Sequence, residues 1–142
     1  MKTHRAIALA TLLIALMSVA PLAHSQGTQP RRWQLSPGCK PKLMVAFDAV
    51  RDLDPSTSRA AFEAAVAEAK RELREARAVA ATLDDREAVE RIVTYRIQRE
   101  ACQSFNTPSG YRDCEQTAGA TEWEISYGLG LAKKAPPQPK VR

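Results

Sequence analysis

The sequence predicts a mainly α protein: a small three-helix domain with a helical hairpin, a disulfide-tied C-terminal loop and one short segment patterned like a strand. Residues 56–82 are rich in Ala, Glu, Arg and Lys and contain no Gly or Pro, a composition that favours helix. Apolar residues recur every three or four positions along most of 41–104, as on one face of a helix. Two cysteines, Cys102 and Cys114, are separated by turn-forming residues.

The N-terminal segment predicts export. Two basic residues in the first five precede an uncharged, largely apolar run over 6–20, and Ala23-His24-Ser25 then offers small residues for cleavage after Ser25. This is the layout of a signal peptide, residues 1–25. A membrane anchor is the alternative, but the run is shorter than the roughly 20 residues that a span needs. We therefore expect a periplasmic or extracellular protein with no membrane span after cleavage.

Cleavage would change the composition on which a functional prediction depends. Removal of 25 of the 142 residues lowers the net charge from +5 to +3 and removes both histidines, His4 and His24. Without imidazole, His-activated nucleophiles and His-based metal sites are excluded. Glu122 and Glu124 could suggest a glycoside hydrolase pair, but nothing else in this small chain builds a substrate cleft. The sequence thus predicts no enzyme, no cofactor and no metal.

The first elements after the signal peptide are an arm and a short helix. Residues 26–40 are polar and contain two prolines, which predicts an extended arm, and the alternation around Trp33 and Leu35 would also fit a short strand. The helical domain is expected over 41–132. Its first helix begins at Pro41, since proline is favoured in a first turn, and ends near Leu53. The helical spacing is that of Leu43, Phe47, Val50 and Leu53.

The second and third helices are predicted to form the hairpin. Asp54 and Pro55 resemble a helix start, which places the second helix over 56–82, and an acidic pair with Glu87 resembles a capping box that starts the third helix over 85–104. The alternative is one unbroken helix over 55–104 with a partner chain over its apolar seam. That seam has heptad spacing and comprises Phe62, Val66, Ala69, Leu73, Ala76, Ala80 and Leu83.

Three cysteines in an exported chain predict one disulfide and one cysteine left over. We expect Cys102 to pair with Cys114, which closes a loop worth about 3 kcal/mol in the chain-entropy model. Cys39 would then be free, buried or paired between chains. The rival pairing joins Cys39 to Cys102 or Cys114, because spacing alone does not determine connectivity.

The C-terminal region carries a different pattern. Apolar residues alternate with polar residues or glycine over 122–131, which predicts a half-buried strand; the alternative is an irregular segment or short helix whose aromatic side chains pack on the hairpin. Residues 133–142 contain three prolines and three lysines, which predicts a disordered basic tail.

Two groups of side chains are candidates for binding a partner. The aromatic residues Tyr111, Trp123 and Tyr127 fall outside the predicted helices, and Arg71 and Arg74 concentrate charge on the second helix. Tryptophan and tyrosine are favoured as interface anchors. Interspersed acidic residues and export argue against nucleic acid.

The expected function is a non-enzymatic protein-binding module, such as an inhibitor or immunity-type protein that occludes an exported enzyme. The alternative is an envelope accessory subunit or periplasmic chaperone acting through the helical seam. A homodimer is compatible with both functions.

Overall fold

The computed structural model describes residues 30–137, so the predicted signal peptide and the end of the tail lie outside the described part. Four helices follow one another: α1 (Lys40–Arg51), α2 (Arg59–Val79), α3 (Leu83–Cys102) and α4 (Pro108–Gly128). The mainly helical fold class and the Cys102–Cys114 disulfide are confirmed. No described helix is both long and apolar enough to cross a bilayer.

Helix α3 is central. Helices α1 and α2 pack on each other and on α3, whereas α4 packs only on α3 among the four helices. Short connections make successive helices antiparallel, as the Lys42–Glu75 pair between the start of α1 and the end of α2 illustrates. The domain therefore has a disulfide end, formed by the α1–α2 and α3–α4 connections, and an arm end, formed by the α2–α3 connection and the N-terminal arm.

The core lies between α1, α2 and α3. Phe47 of α1 and Tyr95 of α3 are fully buried with ring centroids 5.9 Å apart. The predicted seam of α2 faces inward, since Phe62, Val66 and Leu73 are buried in this core. These three side chains are therefore largely covered within one chain.

The helix boundaries differ from the predicted ones by a few residues. Helix α2 is capped by Ser58, whose hydroxyl accepts from the Ala61 N–H; Asp54 instead closes a turn by accepting from the N–H and hydroxyl of Ser56. Helix α3 begins with a capping box of Thr82 and Asp85, earlier than the predicted box. The chain therefore forms two helices with a break between Val79 and Leu83, and the alternative of one unbroken helix over 55–104 is wrong.

Helix α4 corrects the expectation for the C-terminal region. Thr107 caps it by accepting from the Gly110 N–H at 3.2 Å, and Pro108 occupies its first turn. Residues 122–128, predicted as part of a strand, continue this helix, and the arm around Trp33 is irregular. The described residues thus form four helices without a strand, and the disulfide joins α3 to a helix rather than to a loop.

The N-terminal arm, residues 30–39, fastens the arm end. Trp33 donates its N–H to the Gly128 carbonyl at 2.9 Å, and its ring lies so close that a Cβ on Gly128 would meet it at 2.5 Å. On the other side, Ser36 donates its N–H and hydroxyl to the buried Asp85 carboxylate at 2.9 and 2.6 Å. The arm therefore ties the end of α4 to the start of α3.

Candidate functional site

The disulfide end is braced covalently and by a polar network. Cys102 at the end of α3 is bonded to Cys114 in α4. Arg99 donates to the Leu53 carbonyl and lies 3.2 Å from a Glu115 oxygen, which links the α1–α2 connection to α4. Burial and the neighbouring Glu115 carboxylate raise the pKa of Tyr111. The sequence marked Arg99 only as one of several cations, because its bracing role depends on the chain reversal between α3 and α4.

Two hydrophobic aromatic side chains are exposed at this end. Phe105, in the α3–α4 connection, is 49% exposed, and Tyr111, in the first turn of α4, is 37% exposed. The Phe105 ring packs against the first turn of α4, where a Cβ on Gly110 would lie 2.8 Å from its Cδ1 atom. Phe105 was not among the predicted partner-binding residues, although the sequence placed it just after the third predicted helix.

Two grooves run along α3. The groove between α3 and α4 has a volume of about 350 Å³ and is lined by Gln98, Ala101, Phe105, Gly110, Asp113, Cys114 and Thr117. The groove between α2 and α3 has a volume of about 390 Å³ and is lined by Phe62, Glu63, Val66, Ala67, Lys70, Glu100 and Gln103. Ile97 lies between them by its position on the helix and is 54% exposed. We call the exposed side of α3 around Ile97 and Ala101 the open face.

The predicted aromatic candidates do not form one cluster. Tyr111 and Trp123 are 12 positions apart on α4, about 18 Å at 1.5 Å per residue. Trp123 is 40% exposed and donates its indole N–H to the Lys134 carbonyl at 3.1 Å. Tyr127 is covered by the Arg32 guanidinium 4.6 Å from its ring centre. The expectation that these residues lie outside the helices is wrong, since α4 carries all three.

The two predicted basic candidates differ in their surroundings. Arg71 pairs with three carboxylates of its own helix, those of Glu68, Glu72 and Glu75, and its hydrogen bond to Glu68 raises its pKa. Arg74 is exposed and has no ion-pair partner within residues 30–137. Arg74, rather than Arg71, is therefore free to meet an external carboxylate.

The carboxylates of α4 are engaged with arginines. Glu122 lies 3.0 Å from Arg51 Nε of α1, and Glu124 pairs with Arg91 of α3. Burial and the Glu122 carboxylate raise the pKa of the buried Tyr95 hydroxyl. In the part of the chain that the structure describes, no three His, Cys, Asp or Glu side chains are placed to hold a metal ion.

Cys39, the last residue of the arm, is free and fully buried, which is one of the outcomes predicted for it. Its Sγ lies 3.7 Å from the Ala76 carbonyl oxygen, to which the thiol donates. Burial raises the pKa of this thiol, and the neighbouring Asp85 carboxylate raises it further. A protonated and enclosed thiol is a core group rather than a nucleophile.

The fold and its surfaces define a four-helix domain closed by one disulfide. Comparison of the chain with models of known protein families, with curated proteins and with solved structures finds no match.

Proposed function

We propose that the protein is an exported, non-enzymatic protein-binding module whose partner contacts the disulfide end. The observation that carries this proposal is the pair of exposed aromatic side chains, Phe105 and Tyr111, at an end braced by the Cys102–Cys114 disulfide. Exposed aromatic residues on a rigid surface are favoured interface anchors. The signal-peptide pattern of residues 1–25 supports an exported partner.

Rigidity is what the bracing contributes to binding. Phe105 lies in a connection of five residues, 103–107, between the two helices joined by the disulfide. Because little conformational freedom remains there, docking of Phe105 would cost less ordering entropy than docking of a mobile loop. A short, fixed projection with an apolar tip is suited to insertion into a cleft of the partner.

The partner class that fits best is an exported enzyme, which makes the protein an inhibitor or immunity-type protein. The Arg99 network and the disulfide hold the projection in one conformation without any ligand. A protein that blocks an active site needs such a fixed shape, and it needs no catalytic groups of its own. The chaperone alternative loses support because the apolar seam is buried within the chain.

The test begins with capture of partners from the periplasm and continues with the purified pair. Phe105→Ala and Tyr111→Ala should each weaken binding by about thirtyfold, the effect of an interface anchor worth roughly 2 kcal/mol. Leu131→Ala is the matched control, because Leu131 is an exposed apolar residue at the arm end. Equal affinity of all three variants and the wild type, measured by calorimetry, would contradict the proposed surface.

A further inference from the structure

We infer that the open face of α3 is a homodimer interface, in which a second copy packs about a two-fold axis parallel to α3. This goes beyond the proposed function, because the open face runs along the side of the helix and the partner is assigned to the disulfide end. The inference depends on the apolar ridge of the face, the charges that flank it and its size.

The ridge is apolar in the part nearest the disulfide end. Ile97 is 54% exposed and Ala101, one turn further along, is also exposed. Because α4 makes no close approach to α2, no helix within residues 30–137 lies above this ridge. The two grooves beside it, of about 350 and 390 Å³, could receive side chains from a facing helix, as in ridges-into-grooves packing.

Charges on the two flanks of the ridge are opposite in sign and complementary. On the α2 flank, Lys70 and Arg74 have no ion-pair partner among residues 30–137, and on the α4 flank the same holds for Asp113. Arg77 and Glu90 are paired within the chain, whereas Arg86, three turns before Ile97 on the same side of α3, is exposed without an ion-pair partner among residues 30–137. The flanks thus carry unmatched cations on one side and an unmatched anion on the other.

Symmetry decides how these flanks meet. A two-fold axis parallel to α3 places α2 of one copy opposite α4 of the other, so that Lys70 faces Asp113 twice. A two-fold axis across α3 would instead place α2 against α2, with cation against cation. The parallel arrangement therefore gives the Asp113 carboxylate a cationic partner, and the crossed arrangement does not.

The register of the helices supports the same arrangement. The Arg77–Glu90 pair aligns α2 with α3, and the disulfide and the Arg91–Glu124 pair align α4 with α3. On this alignment, Lys70 and Asp113 lie within about five residues of each other along the axis of α3, roughly 7 Å. The long lysine side chain spans that distance.

The face is also large enough. Helix α3 has 20 residues and is therefore about 30 Å long, and neighbouring helix axes are about 8–10 Å apart. A face about 30 by 20 Å would bury roughly 1,200 Å² in total over two copies, the lower bound for a specific interface. Because the axis is parallel to α3, both disulfide ends would point in the same direction.

The experiment is sedimentation equilibrium on the protein recovered from the periplasm with its disulfide intact. The expected result is a monomer–dimer equilibrium with a dissociation constant on the order of micromolar, the weak end of the range for specific interfaces. Ile97→Glu should weaken the dimer by about a hundredfold, because it places two carboxylates near the axis. Val45→Glu is the matched control: Val45 is exposed on α1, which does not border the open face.

Charge reversal tests the orientation. Lys70→Glu alone and Asp113→Lys alone should each weaken the dimer by about tenfold through like-charge contacts, and the double reversal should restore the wild-type constant to within about threefold. Far-ultraviolet circular dichroism shows whether each variant is folded. A wild-type protein that stays monomeric at 500 μM overturns the dimer, and a double reversal no tighter than the single ones overturns the parallel two-fold.

Discussion

Asp85 is the side chain on which the attachment of the arm depends, so its substitution by asparagine is the most informative perturbation of stability. Its carboxylate is fully buried and accepts from the Ser36 N–H and hydroxyl and from the backbone N–H groups of Ala81 and Thr82. Asparagine keeps the shape but replaces one acceptor oxygen with an NH₂ group. That group faces donors, so hydrogen bonds are lost and the arm loosens.

The magnitude follows from the ionisation of this group. Burial of Asp85 opposes its ionisation, but hydrogen bonds from Ser36, Ala81 and Thr82 outweigh burial and lower the pKa from 3.8 to about 2. This lowering of the Asp85 pKa corresponds to roughly 2 kcal/mol of folding free energy. We therefore expect Asp85→Asn to lower the free energy of unfolding at pH 7 by about 2 kcal/mol, and the melting temperature by about 10 °C for a domain of this size.

The pH dependence has a definite sign. Because the folded pKa of Asp85 lies below the unfolded value, its stabilisation is complete above about pH 4 and is lost as the pH falls towards 2. The wild-type protein should lose this contribution over that range, whereas Asp85→Asn has none to lose. The difference in unfolding free energy between the wild-type protein and Asp85→Asn should thus become smaller as the pH falls.

The assay is urea unfolding followed by circular dichroism at several pH values between 2 and 7. Asp52→Asn is the matched control, because Asp52 is exposed and its carboxylate accepts no hydrogen bond from residues 30–137. A loss below about 0.5 kcal/mol for Asp85→Asn at pH 7, or a difference that stays constant from pH 6 to pH 2, would refute the assigned role of the carboxylate.

Three further predictions concern covalent and packing features. Replacement of Cys102 and Cys114 together by serine should lower the unfolding free energy by about 3 kcal/mol; a urea midpoint equal to that of the wild type would contradict this. Gly128→Ala should cost about 1–3 kcal/mol and shift Trp33 fluorescence to longer wavelength, since the new Cβ would meet the Trp33 ring at 2.5 Å; unchanged emission would show that the ring does not pack there. The buried Cys39 thiol should react with a thiol reagent only after denaturation, and rapid labelling of the native protein would disprove its enclosure.

The helices that the sequence predicts well are those whose buried positions are apolar. In α2 the seam from Phe62 to Ala76 is buried as its spacing predicts, because apolar residues repeated every three or four positions form one continuous stripe along a helix. The boundaries were less predictable. Asp54 and Ser58 are both good caps, and only the turn formed by Asp54 with Ser56 shows which of them begins the helix.

Helix α4 was missed because three of its four buried positions are small or polar. Ala118, Thr121, Ile125 and Gly128 are the residues that face the core, whereas the larger Trp123 remains exposed. The large side chains therefore suggested the alternation of a strand. The residues that repeat with helical spacing are mostly alanine, threonine and glycine, which give a weak apolar pattern. Thr107 and Pro108 could have indicated the helix start, but they also fit the turn chemistry expected between the two cysteines.

For the candidate surfaces, the sequence predicted the types of residue but not which of them are exposed. Aromatic anchors outside the three predicted helices were expected, yet which of them stay exposed depends on the three-dimensional path of the arm and tail. Arg32 covers Tyr127, and the Lys134 carbonyl engages Trp123. Similarly, Arg71 and Arg74 are alike in the sequence, but only Arg71 lies among carboxylates that neutralise it.

The path of the arm has a consequence for how the chain reaches its native state. Trp33 is held by Gly128, 95 residues later, and Ser36 by Asp85, 49 residues later. A chain that emerges from its N-terminus cannot complete these attachments until nearly all of the domain is present, and such distant contacts slow folding. The attachment of Trp33 is therefore completed only when α4, which ends at Gly128, is in place.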